Sequence, residues 1–106
     1  MTTFVRVARL AELPEGEPVR CEARGEPVGL LRRGGEVLAF ADRCTHEEAS
    51  LCEGFVEGFT IECPLHGASF DLRTGKALSL PATRDLRTYP VRLEGGEVSV
   101  GLTEGE

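Results

Sequence analysis

The sequence predicts one small domain with an antiparallel all-β fold. The chain has 106 residues, which suffice for a single domain over residues 1–106. Short stretches that alternate apolar and polar residues recur along it, and 13 glycines and 6 prolines supply turns between them. No segment has the 3.6-residue periodicity of a long helix. These features favour short strands joined in sequence by tight turns.

Each predicted strand is bounded by residues that favour turns. The predicted strands are residues 4–8, 18–23, 27–32, 37–41, 89–93 and 98–100. Residues 24–26, 34–35 and 95–96 are predicted to turn the chain between neighbouring strands, the last two as glycine pairs. Residues 10–13 can form one helical turn, which Pro14 and Gly16 end. Residues 103–106 are expected to be a frayed tail.

Residues 42–82 differ from both flanks, and we interpret them as an inserted functional subdomain. Both histidines and three of the four cysteines fall in this segment. The alternation of apolar and polar residues weakens there and turn residues accumulate. Such a stretch between strand-rich flanks is typical of a segment that carries function.

The charge and the N-terminus restrict the partners and the compartment. The net charge is −6, so phosphate backbones repel the protein and nucleic acid is not expected as a partner. No apolar stretch is long enough for a signal peptide or a membrane span, which predicts a cytoplasmic protein that does not bind membranes. Disulfides are rare in that reducing compartment, so metal ligation or a catalytic thiol is favoured for some of the cysteines.

Two short motifs each combine one cysteine with one histidine. Cys44-X-His46 is followed, after sixteen residues, by Cys63-X-X-His66. Zinc fingers usually place a cysteine pair before a histidine pair. One ligand of each type in each motif suits two neighbouring metal atoms, with both cysteines on one iron and both histidines on the other, as in a Rieske [2Fe–2S] centre.

The sequence resembles the Rieske ferredoxin family, whose signature is Cys-X-His, a spacer and Cys-X-X-His. The resemblance covers about residues 36–100. The other stretches that are similar to the family are Leu51–Gly54, Gly67–Asp71, Thr74–Ala77, Leu80–Ala82 and Tyr89–Val91. The resemblance implies a Rieske fold, in which an antiparallel β-sandwich base carries a cluster-binding subdomain over about residues 42–82. It also implies that Cys44, His46, Cys63 and His66 bind one [2Fe–2S] cluster.

The family resemblance implies a one-electron carrier that makes and breaks no substrate bond itself. The implied partners are a flavin-dependent reductase upstream and a terminal oxygenase of the ring-hydroxylating type downstream. Glu47, Glu48 and Glu53 lie beside the ligand motifs. They are either a solvated acidic rim or a docking rim for a basic partner protein.

Four positions indicate a low-potential member of that family. High-potential members have an extra cysteine in each ligand loop, where this chain has Ala49 and Leu65. They also have a serine and a tyrosine, whose hydroxyls hydrogen-bond sulfur, where this chain has Ala68 and Phe70. With fewer hydrogen-bond donors to its sulfur atoms, the reduced state of the cluster is stabilised less. We therefore expect a reduction potential of about −150 mV, at the low end of the Rieske range.

Other interpretations of the same residues remain open. The chain could be the small subunit of an assimilatory nitrite reductase, which has a similar fold. The four ligands could instead hold one zinc ion in a structural or interaction module. A cysteine nucleophile with a histidine base would leave the second Cys-His pair unexplained. Cys21 and Cys52 have no histidine at ligand spacing, so they are expected to be packing residues.

The composition also suggests a thermophilic host. The chain contains no asparagine or glutamine. A GC-rich genome explains the loss of asparagine but not that of glutamine, and the removal of thermolabile side chains is one route to heat tolerance.

Overall fold

The computed structural model describes residues 2–42, 50–64, 67–78 and 85–103. In these ranges ten strands form three antiparallel sheets. The strands are β1 (Thr2–Arg9), β2 (Val19–Ala23), β3 (Glu26–Arg33), β4 (Glu36–Ala41), β5 (Phe55–Glu57), β6 (Thr60–Glu62), β7 (Ser69–Asp71), β8 (Thr88–Tyr89), β9 (Val91–Glu94) and β10 (Glu97–Thr103). Single 3₁₀ turns cover Leu10–Glu12 and Leu51–Glu53. The predicted all-β antiparallel architecture is confirmed.

Two of the sheets form the base of the molecule. Sheet 1 has the strand order β1-β10-β9, and sheet 2 has the order β2-β3-β4-β8. Val98 and Val100 of β10 are buried in one apolar core with Val28 and Leu30 of β3. This base core joins sheet 1 to one face of sheet 2.

Sheet 2 is covered on its other face by the third sheet. Sheet 3 has the order β5-β6-β7 and lies within residues 42–82. Ile61 and Phe70 of sheet 3 share a second apolar core with Leu31 and Phe40 of sheet 2. Residues 28–31 of β3 are therefore all buried, because the strand lies between the two cores. Sheet 3 is thereby fixed to the base as a separate layer.

One predicted strand is divided between two sheets. Residues 89–93 were expected to form a single strand, but Thr88–Tyr89 pair with β4 and Val91–Glu94 pair with β10. Pro90 lies at the division. Proline has no backbone N–H and cannot donate to a sheet ladder, which makes it a suitable residue at the point where the chain changes sheets.

Two predicted boundaries also shift. Glu26 pairs with Ala23, so the turn between β2 and β3 contains two residues, Arg24 and Gly25, both at positive φ. Thr103 pairs with Thr2 in sheet 1, so it belongs to β10 and not to a tail.

In the described ranges the structure contains no helix long and apolar enough to cross a membrane.

Candidate metal centre

Cys63 is the predicted ligand that the structure describes. It follows directly after β6, its thiol is free, and the residue is 1% exposed. Cys44, His46 and His66 lie outside the described residues, as do Ala49 and Leu65. Cys63 also contributes to the second apolar core, so its burial alone would equally suit a packing role.

The chain turns tightly after Cys63. The Cys63 backbone N–H donates to the Ala68 carbonyl at 2.7 Å, and the Gly67 N–H donates to the Cys63 carbonyl at 3.2 Å. Gly67 has φ +73, a conformation that favours glycine. No described atom lies within 4 Å of where its Cβ would be, so backbone conformation and not crowding explains this glycine. These bonds hold the Cys63 backbone against Gly67 and Ala68.

The side chains behind this turn are apolar. Ala68 and Phe70 are fully buried in the same core as Cys63. Neither has a hydroxyl, so neither can donate a side-chain hydrogen bond to a thiolate or a sulfide. Two of the four positions from which a low potential was predicted, Ala68 and Phe70, therefore lie in the packing around the predicted ligand Cys63.

A buried carboxylate stands where the first ligand motif begins. The Asp42 side chain is 0% exposed, and Asp42 is the one charged residue buried in the part of the chain that the structure describes. Its Oδ2 accepts from the Ser50 hydroxyl at 2.7 Å, and its Oδ1 accepts from the Cys52 backbone N–H at 2.8 Å. The Arg20 guanidinium lies 3.4 Å from Oδ2. Sequence reasoning missed Asp42 and Ser50, since acidic residues beside loops are usually solvated.

Cys21 and Cys52 lie near this carboxylate. Burial, and to a smaller extent Asp42, raises the pKa of the Cys21 thiol to about 11. The same two causes raise the pKa of Cys52 well above its usual range. Both thiols are protonated at neutral pH, which makes them poor nucleophiles and poor metal ligands. This agrees with their expected role as packing residues.

The outer face of sheet 3 is acidic with exposed apolar groups. Val56, Ile61 and Phe70, the middle residues of the three strands, face the second core. The residues on either side of each therefore point to the outer face. Phe55 is 66% exposed and pairs across strands with Glu62, one residue before Cys63. A groove of about 330 Å³ runs along this face, lined by Phe55, Val56, Glu57, Thr60, Glu62 and Ser69.

A second exposed apolar side chain continues the same row. Glu62 pairs with Ser69, whose carbonyl accepts from the Leu78 N–H at 2.8 Å. Leu78 is 51% exposed. Phe55 and Leu78 are two of the three exposed large apolar residues in the described ranges, and the third, Leu93, lies in sheet 1. This row of residues lies at the end of sheet 3 that is nearest to Cys63.

The described residues fit the predicted cluster as far as they extend. Within the four described ranges, no group of three or more His, Cys, Asp or Glu side chains could hold a metal ion. Cys63 supplies a free thiol on a hydrogen-bonded stretch of backbone, and thiolate sulfur is a donor that iron–sulfur clusters require. A second site for the metal therefore has no support in these ranges.

Comparison with known proteins places this geometry in context. Residues 3–90 match the model of the family described as Rieske [2Fe-2S] domain. The 3-phenylpropionate/cinnamic acid dioxygenase ferredoxin subunit of Escherichia coli (strain K12) is 50% identical over 98 residues, which are 92% of each chain.

Two solved structures show the same fold. The ferredoxin of carbazole 1,9a-dioxygenase from Nocardioides aromaticivorans IC177 is 40% identical with a TM-score of 0.88, over 92% of this chain and 96% of that one. A chain in the complex of reduced oxygenase and oxidized ferredoxin in carbazole 1,9a-dioxygenase is 37% identical with a TM-score of 0.85, over 92% and 91% of the two chains.

Proposed function

The chain belongs to the Rieske [2Fe–2S] domain family, and from this we propose that it is the ferredoxin of an aromatic-ring dioxygenase system. It is a one-electron carrier with one Rieske-type [2Fe–2S] cluster, and it is not itself an enzyme. The observation that carries the proposal is the 50% identity, over 92% of both chains, to a dioxygenase ferredoxin subunit. When bound, the cluster supplies reversible one-electron chemistry.

We propose that Cys44 and Cys63 bind one iron and that His46 and His66 bind the other. The free thiol of Cys63 and the hydrogen-bonded turn that follows it support the second half of this ligand set. Two backbone hydrogen bonds tie Cys63 to Gly67 and Ala68, so the position of the Cys63 backbone is well defined beside the proposed cluster. The proposed cluster-binding subdomain over about residues 42–82 contains sheet 3 and all four ligands.

The proposed downstream partner is a terminal oxygenase with a basic docking surface, and the proposed upstream partner is a flavin-dependent reductase. Exposed carboxylates at Glu53, Glu57 and Glu62 support an acidic docking face beside Cys63. Glu47 and Glu48, the other members of the predicted acidic rim, lie outside the described residues. Complementary charge speeds the encounter of transient partners, and the exposed ring of Phe55 offers an apolar contact on this face.

The proposed reduction potential is at the low end of the Rieske range, about −150 mV. The apolar side chains at Ala68 and Phe70 support it, because they leave the sulfur atoms without hydroxyl donors at those positions. A potential of this kind suits reduction by a flavoprotein and does not suit oxidation of a quinol.

The test uses anaerobically purified protein. The expected result is a red-brown protein with two irons and two sulfides per chain, which gives a Rieske-type paramagnetic signal after dithionite and captures a terminal oxygenase from the host extract. Colourless protein that contains zinc would show the structural zinc module instead. Specific capture of a nitrite reductase would show the nitrite reductase small subunit.

We also propose a cytoplasmic location and a thermophilic host. The cysteines of the described ranges are free thiols, which supports the reducing cytoplasm. The absence of asparagine and glutamine supports the thermophilic host. A melting temperature above about 65 °C is expected for the holoprotein, and one in the mesophile range would contradict the thermophilic origin.

A further inference from the structure

We propose that Asp42 is a positioning residue that fixes both ends of the first ligand loop, residues 43–49. This inference rests on the proposed function, in which that loop supplies Cys44 and His46 to the cluster. It assigns to the buried carboxylate a role that the ligand motif does not contain.

The hydrogen bonds of Asp42 connect the chain on the two sides of the loop. Asp42 is the last described residue before the loop, and Ser50 is the first described residue after it. The Ser50 hydroxyl donates to Oδ2 at 2.7 Å and the Cys52 N–H donates to Oδ1 at 2.8 Å. One side chain therefore holds the returning end of the loop through both of its oxygens.

The carboxylate is itself fixed to the base of the molecule. The Asp42 backbone N–H donates to the Pro27 carbonyl of β3 at 3.1 Å, which continues the β3–β4 ladder by one residue. The Arg20 guanidinium of β2 lies 3.4 Å from Oδ2. Both ends of the loop are thus attached to sheet 2. Cys63 and sheet 3 pack on the same sheet. The two predicted ligand loops would then keep a constant separation.

A surface role does not account for this arrangement. Burying a carboxylate is unfavourable unless it is paired and hydrogen-bonded, whereas an exposed aspartate beside a loop would avoid that cost. Asp42 is buried, and both oxygens are used in bonds that bridge the loop. A side chain with two polar atoms at its end can bond both partners at once and so join them. Precise placement of the two loop ends explains why this carboxylate is buried.

The experiment compares variants of the anaerobically purified holoprotein. Iron release to a chelator and the paramagnetic line shape after dithionite are measured for Asp42→Ala, Asp42→Asn and Ser50→Ala. Asp42→Ala removes both bridges, and we expect iron release about tenfold faster and a shifted or broadened line shape. Asparagine keeps an acceptor for the Cys52 N–H and can pair with the Ser50 hydroxyl, so Asp42→Asn should release iron within about threefold of the parent rate and keep its line shape.

Two further variants keep the test interpretable. Ser50→Ala removes one of the two bridges, so iron release should be faster than in the parent but slower than in Asp42→Ala. Ser50→Ala also tests the inference on its own if Asp42→Ala does not fold. Glu97→Gln removes an exposed carboxylate that pairs with Arg6 in sheet 1 and bridges no loop, so it should behave as the parent protein.

Each outcome has a defined meaning. Parent-like iron release and line shape in both Asp42→Ala and Ser50→Ala would overturn the inference. Equal damage in Asp42→Asn and Asp42→Ala would also overturn it, since the charge and not the bridge would then matter. A parent protein without a Rieske signal would refute the proposed function instead.

Discussion

Gly54 lies directly against the backbone carbonyl of Glu62, and a Cβ atom at position 54 would overlap that oxygen. The contact joins the end of the 3₁₀ turn at Leu51–Glu53 to the last residue of β6, one position before Cys63. The chain that leaves the first ligand loop is thus packed without a gap against the strand that leads into the second loop.

Gly54→Ala is expected to destabilise the protein and loosen this junction. The added methyl group must push Glu62 away, and overpacking of this kind costs about 1–3 kcal/mol. Chemical denaturation of the holoprotein measures the loss. The matched control is Gly35→Ala, because a Cβ at that turn position meets no atom within 4 Å and Gly35 does not have positive φ. Equal stability of the two variants would show that the Gly54 contact relaxes without cost.

Phe55→Ser is expected to slow electron transfer to the terminal oxygenase about tenfold, because loss of an aromatic side chain that a partner covers weakens a protein interface by about this factor or more. The potential should not change, because Phe55 is 66% exposed and lies outside the second core. Stopped-flow mixing with the captured oxygenase measures the second-order rate constant. Leu93→Ser removes an exposed apolar side chain from sheet 1 and serves as control. Equal rates for the two variants would exclude the outer face of sheet 3 as the docking site.

The double variant Glu57→Gln/Glu62→Gln is expected to slow the same reaction at low salt and to weaken its dependence on ionic strength. Both carboxylates are exposed on the outer face of sheet 3, and charge steering acts mainly on the encounter rate. The rate is measured between low and physiological salt, where the Debye length shortens from about 30 Å to 8 Å. A salt dependence as steep as that of the parent protein would place the docking charges elsewhere.

Local sequence signals predicted the base more completely than the third sheet. The glycine pairs at 34–35 and 95–96 mark hairpins whose geometry depends on neighbouring residues alone, and both form. The three strands of sheet 3 have three residues each, too few for an alternating pattern to stand out. Residues 28–31 lack alternation for a tertiary reason, because β3 is covered on both faces.

The candidate site likewise has one part that the sequence predicts and one part that it does not. The motif around Cys63 has a fixed spacing, so sequence alone predicted a ligand loop there, and the structure describes a tight turn that is able to present it. Asp42 and Ser50 carry no such spacing signal. Their role is visible only once folding buries the carboxylate and brings Arg20 of β2 against it.

Ala68→Ser and Phe70→Tyr are each expected to raise the reduction potential. Both residues are buried in one core with Cys63, and both changes restore a hydroxyl that high-potential members use to hydrogen-bond sulfur. Donors to sulfur stabilise the added negative charge of the reduced state. Redox titration measures the shift. The control is Phe59→Tyr, which adds a phenol hydroxyl to a ring that stacks with Arg73 and lies away from Cys63. Potentials equal to that of the parent in both variants would mean that these hydroxyls do not reach the sulfur atoms.

Alkaline pH is expected to destabilise the fold through the protonated thiol of Cys21. Its pKa is about 11 in the folded protein against 9.0 ordinarily, because burial disfavours the thiolate. The folded state therefore keeps a proton that the unfolded chain loses. The resulting stabilisation is complete below pH 9 and is lost as the pH rises from 9 to 11. Cys52, whose pKa is raised by the same causes, adds to the loss in that range.

Melting temperatures at pH 8 and pH 10.5 measure this effect. The parent holoprotein should lose more stability over that interval than the double variant Cys21→Ala/Cys52→Ala, which has neither thiol. The difference between the two proteins removes contributions that they share, including the raised pKa of Tyr89. Parallel pH profiles would show that the unfolded chain and the folded protein ionise these thiols alike, and would place both side chains in contact with water.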